Sequence, residues 1–296
     1  MTMPQIVRFE SGTGEPHLGV AEDDRLIGQF GLDYPRMADL LRLGSGELRA
    51  AFEAATANAA SLQLQRVLAP VDGETEVWAA GVTYKRSEEA RVEESATPDI
   101  YSRVYRAERP ELFFKATPRR VAGPDMPIVV RSDSTWDVPE PELAIIVNAH
   151  AEIVGYTIGN DVSSRSIEGD NPLYLPQAKV YDGCCALGPG IVPAWLVPDA
   201  YSLAIRMRIL RSGTLHWQGE TSMREFARKL DDLVRYLFRE DEFPDGVILS
   251  TGTALVPDSP FTLEAGDVVE VDIDGLGTLR NRVVRGKAAR AQADRD

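Results

Sequence analysis

Residues 142–160 read ELAIIV, then a five-residue link NAHAE, then IVGYTIGN. Two apolar runs of strand length this close can pair only as antiparallel neighbours, because a parallel return needs a crossover of roughly a dozen residues or more. That hairpin constrains the rest of the chain, since it fixes what lies beside what. Asp161, at the end of the second run, comes to lie beside the start of the first. There the sequence WDVPEPEL places Glu140 and Glu142 two residues apart, so their side chains share one face of the strand.

Unpaired acids side by side on a strand repel each other. Three carboxylates converging on one strand end make a hard, all-oxygen site suited to Mg²⁺, with Mn²⁺ or Ca²⁺ as alternatives, and leave positions for water or substrate. Acid pairs also occur at solvated sheet edges, and spacing alone leaves both readings open. Zinc fits poorly: His17, His150 and His216 are scattered, and Cys184 and Cys185 are adjacent and lack C-x-x-C spacing.

The remaining sequence predicts an α+β chain that is mostly β. Residues 4–30 read as short strands broken by SGTGEP, and MADLLRLG and GELRAAFEAATANAASL as two helical stretches. The Pro, Gly and acid-rich segment APVDGETE then places a boundary, giving a small N-terminal mixed domain over 1–70 and a larger domain over 71–296. Further strands are expected at IVVR, at LAIRMRI and in DVVEVDIDGLGTLRNRVV, where GLG supplies a tight turn. Ser222 with Glu225 reads as a capping box. Met223, Phe226, Leu230, Leu233 and Leu237 then recur on one helical face, and the tail KAARAQADRD reads as frayed.

A formal net charge of −14 and a pI near 4.8 argue against nucleic acid and anionic membranes, and favour a small ligand. No apolar run reaches about 18 residues and the N-terminus lacks a signal-peptide pattern, so a cytoplasmic location is expected. Two lysines stand out. Lys115 closes ELFFK, and Lys179 follows SSRSIEGDNPLYLPQA, a polar stretch without apolar period that suits a lid. A desolvated lysine is a usable base, whereas a surface or ion-paired lysine is the commoner case. TGT at 251–253 offers backbone and hydroxyl groups to a ligand.

With these residues in view, the chain resembles the fumarylacetoacetate hydrolase family over roughly 76–286. The resemblance rests on AAGVTY, ELFFK, GP, PEPELAIIV, GYTIGNDVSSRS, AKVYD, LGPGIV, STGT and GDVVEVDIDGLGTLRNRV, in that order. It implies a small N-terminal domain followed by a mixed β-sandwich or roll. It also implies a divalent metal on Glu140, Glu142 and Asp161 that binds a 2-oxo acid, and a homodimer or homotetramer. Hydrolases of the family show N-Y-x-x-H-x-x-E where this chain has TYKRSEEA, so Ser87 and Ala90 occupy the His and Glu places and hydrolysis is not expected.

The longer pieces TYKRSEEAR, RPELFFKATPRRVAGP and NDVSSRSIEGDNPLYLPQAKVYDGCCALGP look like the 2-keto-3-deoxy-pentonate dehydratase branch of that family. That branch removes water from a 2-oxo sugar acid to give 2,5-dioxopentanoate. By resemblance Lys179 is the base and Glu111 the acid, with the reverse order also open. Arg86, Ser87, Lys115, Asn171, Gln177 and Thr253 are candidate substrate contacts; Arg86 or Arg165 could instead close a surface ion pair. The rival readings are an acylpyruvate-type C–C hydrolase of the same family and a 2-oxo acid binding protein without turnover.

Overall fold

The computed structural model describes residues 2–12, 14–23, 25–58, 60, 62–86 and 98–293. Its strands are, in chain order, β1 (Gln5–Glu10), β2 (Pro16–Glu22), β3 (Arg25–Gln29), β4 (Arg66–Leu68), β5 (Glu76–Gly81) and β6 (Glu111–Ala116). Then come β7 (Val121–Ala122), β8 (Ile128–Val130), β9 (Asp137–Val138), β10 (Pro141–Val147), β11 (Ile153–Asp161) and β12 (Ser163–Ser164). The last are β13 (Cys185–Pro193), β14 (Ala204–Arg211), β15 (Thr214–Ser222), β16 (Val247–Ser250), β17 (Val268–Ile273) and β18 (Gly277–Arg285).

A large mixed sheet runs β3-β2-β1-β13-β11-β10-β16-β5-β6, and a second sheet runs β15-β14-β17-β18-β8. The chain is thus mostly β, as the sequence predicts. The N-terminal strands belong to the large sheet, because β1 pairs with β13 at Ile6 and Ile191. Strand β10 lies at the centre and is buried along its whole length. Its Leu143, Ile145 and Val147 enter the core that also holds Ile205, Met207, Val269 and Val271 of the second sheet. Ala144 and Ile146 enter another core with Leu48 and Phe52 of the helix Ser45–Ala57. Alternation along the strand sends the two sets to opposite faces, which is why a near-continuous apolar run reads ELAIIV.

The predicted hairpin forms. Pro141 stands opposite Asn160 in the β10–β11 ladder, and the Asp161 N–H donates to the Glu140 carbonyl at 2.9 Å. No helix among the described residues is long and apolar enough to cross a membrane.

Three local expectations are corrected. The apolar period from Ser222 does not give one helix: Ser222 caps a 3₁₀ turn, Met223–Glu225, and the α-helix starts only at Leu230 and runs to Leu237. Between them Phe226 bridges to Tyr84 and the Ala227 N–H donates to the Thr83 carbonyl, so pairing with a distant segment overrides local periodicity. The tail is not frayed through residue 293. Lys287–Ala293 is a helix whose buried Arg290 donates to Asp182 at 3.0 Å and to the carbonyls of Arg120 and Val121. The polar stretch before Lys179 forms helices Arg165–Asp170 and Leu175–Lys179 around a 3₁₀ turn, Pro172–Tyr174. Pro172 and Pro176 lie in the first turns of the latter two, where a missing N–H costs nothing.

Candidate active site

At the open end of the β10–β11 hairpin, Glu140, Glu142 and Asp161 each offer an oxygen within 4.8 Å of the others, and all three are buried. Hydrogen bonds through backbone amides hold two of these residues in place. The Glu140 N–H donates to Asn160 Oδ1 at 3.1 Å, and Glu142 Oε2 accepts from the Gly252 N–H at 2.8 Å. Gly252 has φ +92°, and a Cβ there would lie 2.9 Å from the Ala80 carbonyl oxygen, so only glycine aims its N–H this way. Burial, then the neighbouring Asp161 and Glu140, push the Glu142 carboxyl well up from its ordinary value. Glu142 therefore carries its negative charge at a cost that a cation beside it would remove.

Lysines enter from the other side. Lys179, the last residue of its helix, places Nζ 2.6 Å from Glu140 Oε2, 2.8 Å from Asp161 Oδ2 and 2.6 Å from Ser163 Oγ. Lys115 is fully buried on β6, in ion-pair contact with Asp161 Oδ1, and donates to the carbonyls of Val162 (3.1 Å) and Lys179 (2.5 Å). Burial is the largest influence and works against its ammonium, but Asp161 together with Cys184 and Cys185 more than offsets it, and the Lys115 pKa is raised. Burial likewise opposes the Asp161 charge, and the two lysines more than compensate, holding its carboxyl below the usual range.

Glu111, Lys179, Arg165, Glu168, Arg86 and Thr253 line the pocket above these carboxylates, between apolar walls from Phe113, Leu175, Val256 and Pro257. Arg165 is buried. Its Nε lies 3.3 Å from Glu140 Oε1, and its guanidinium sits over the Trp136 ring at 5.8 Å. Of the two arginines read as surface ion-pair candidates, only Arg86 makes one, with Asp258 at 3.2 Å.

The other candidates divide. Lys115 does not line the pocket, because its ammonium is consumed behind the carboxylates. Asn171 also stays outside, its Oδ1 capping the 3₁₀ turn by accepting from the Leu173 N–H at 2.9 Å. Gln177 faces a separate surface recess with Asp133 and Asp170. Ser87 lies outside the described residues. Sequence reasoning missed Glu168, which is buried and lines the pocket. The one signal for it was its place seven residues after Asp161, on the segment that carries Arg165.

Comparison with known proteins places the chain among relatives of known family. Residues 76–284 match the fumarylacetoacetate (FAA) hydrolase C-terminal family model. A Haloferax volcanii protein named "Probable 2-keto-3-deoxyxylonate dehydratase" is 56% identical over 214 residues, covering 72% of this chain and 73% of the relative. The 2-dehydro-3-deoxy-D-arabinonate dehydratase of Saccharolobus solfataricus is 45% identical over 218 residues, with 72% and 73% covered. A solved 2-keto-3-deoxy-D-arabinonate dehydratase complexed with magnesium and 2,5-dioxopentanoate superposes with a TM-score of 0.80 at 36% identity, covering 95% of this chain and 99% of that one. With a family match over more than half its length and relatives this close, the chain belongs to the fumarylacetoacetate hydrolase family.

Proposed function

We propose that this protein is a hydro-lyase that converts 2-keto-3-deoxy-D-arabinonate, the same compound as 2-keto-3-deoxy-D-xylonate, to 2,5-dioxopentanoate. The observation that carries the reading is the convergence of three buried carboxylates, Lys179 and Glu111 on one pocket. The names of the relatives support the same substrate.

Glu140, Glu142 and Asp161 suit a hard dication: all donors are carboxylate oxygens, and the raised Glu142 marks a place short of positive charge. Mg²⁺ is the assigned ion, with Mn²⁺ and Ca²⁺ as the alternatives that the same donors accept. When bound, such an ion withdraws charge from the carboxylate and ketone oxygens of a 2-oxo acid and acidifies C3.

The chain itself then moves protons. Lys179, whose ammonium a dication on the three carboxylates would disfavour, takes a proton from C3 as the neutral amine, and Glu111 protonates the hydroxyl leaving C4. The resulting C3–C4 double bond shifts when a proton leaves C5 and one returns to C3, giving a C5 enol. Protonation of the enol at C4, with loss of its hydroxyl proton, yields the aldehyde, so the net change is loss of one water. Phe113, Leu175, Val256 and Pro257 limit water at the reacting carbons.

Hydrolysis would need a base for water. None of His17, His150 and His216 lines the pocket, and Ser87 and Ala90 stand at the places where family hydrolases carry His and Glu. Steady-state assays of Lys179→Ala and Glu111→Gln test the assignment. Each is expected to lose about 10²-fold or more in kcat; wild-type turnover in either variant would remove that residue from the mechanism.

A further inference from the structure

Glycine is a poor strand residue, and Gly81 closes β5 with no conformational need for it: its φ is outside the left-handed region. Its neighbours Ala79 and Ala80 carry a Cβ without difficulty. What distinguishes position 81 is the residue opposite. In the antiparallel β5–β6 ladder Gly81 faces Glu111, whose side chain folds back across the glycine. A Cβ at position 81 would lie 2.7 Å from Glu111 Cδ and 3.3 Å from its Cγ, and would overlap Oε2. Both residues line the pocket.

We infer that Gly81 is a positioning residue: its missing side chain is the seat of the Glu111 carboxyl, and it sets where that acid meets the substrate. The inference rests on the reading of Glu111 as the proton donor. The atoms that an added methyl meets belong to the far end of one flexible side chain, not to backbone, so the chain accommodates Ala by moving Glu111. Folding and the carboxylates of the hairpin are left in place, because Glu142 and Gly252 bond to each other elsewhere. The damage falls on proton transfer alone.

Steady-state kinetics on 2-keto-3-deoxy-D-arabinonate with Mg²⁺ test this for Gly81→Ala, Glu111→Gln and the double variant, with a calorimetric Mg²⁺ titration and a melting curve for each. Gly81→Ala is expected to lose about tenfold or more in kcat, a part of what a lost general acid costs. KM and the Mg²⁺ dissociation constant should stay within about twofold of wild type, and the double variant should be no slower than Glu111→Gln, as two changes acting on one group are not additive. Near-wild-type kcat in Gly81→Ala beside a crippled Glu111→Gln would overturn the inference. So would losses that multiply in the double variant, a weakened Mg²⁺ site, or a chain that no longer folds. Wild-type turnover by Glu111→Gln would instead sink the assignment of Glu111 as the acid, and the role of Gly81 with it.

Discussion

Lys179 Nζ lies 2.6 Å from Glu140 Oε2, and both side chains are buried. Removing one partner of a buried ion pair strands the other charge, at about 3–5 kcal/mol. Lys179→Ala should therefore melt well below wild type in the presence of chelator. Mg²⁺ should raise its melting temperature more than it raises that of wild type, because the dication then supplies charge that the lysine no longer does. Equal Mg²⁺ shifts in the two proteins, read by scanning calorimetry, would contradict this.

Lys115 gives a purely structural counterpart. Its three contacts are Asp161 and the carbonyls of Val162 and Lys179, so Lys115→Met leaves a buried carboxylate and two carbonyls short of a donor. A loss of about 3–5 kcal/mol in denaturant unfolding with chelator is expected. A loss within about 0.5 kcal/mol, the range of an ordinary surface substitution, would show that this contact does not hold the site.

Asp137 sets a pH dependence. Burial pushes its carboxyl up from 3.8 to about 6, only partly offset by the nearby Ser134 hydroxyl and Arg285. A group that binds its proton more tightly when folded contributes stability that falls as pH rises from 3.8 through 6. Asp137→Asn removes that loss. Its melting temperature relative to wild type should climb between pH 4.5 and 7, and a difference independent of pH would reject the assignment.

Arg290 ties the C-terminal helix to the segment that follows Lys179, through Asp182 at 3.0 Å. Arg290→Ala gives up one charge-assisted bond and two bonds to carbonyls, worth about 2 kcal/mol together. Denaturant unfolding checks the figure, and an unchanged midpoint would mean that the helix is dispensable there.

The legible parts of this site were those encoded by short-range geometry. Glu140, Glu142 and Asp161 follow from a two-residue period and a five-residue link, and both leave marks in the sequence. Lys179 and Glu111 sit on separate elements, and no local spacing relates them to the hairpin: the polar stretch before Lys179 drew notice to it without fixing its role, and resemblance alone pointed to Glu111. Lys115 was read as a substrate contact because its position in ELFFK does not reveal that its ammonium turns behind the carboxylates. The helix expected from Ser222 failed where Phe226 pairs with Tyr84, a contact across more than a hundred residues that periodicity does not register. Glu168 and Gly81 need the helix order after β12 and the β5–β6 register respectively before either has meaning.

The most direct test of the account is a proton NMR time course of the purified protein with Mg²⁺ and 2-keto-3-deoxy-D-arabinonate. Growth of an aldehyde signal that stops with chelator and is absent in Lys179→Ala is the predicted result. No consumption of that substrate, beside Mg²⁺-dependent cleavage of an acylpyruvate by the same sample, would contradict it.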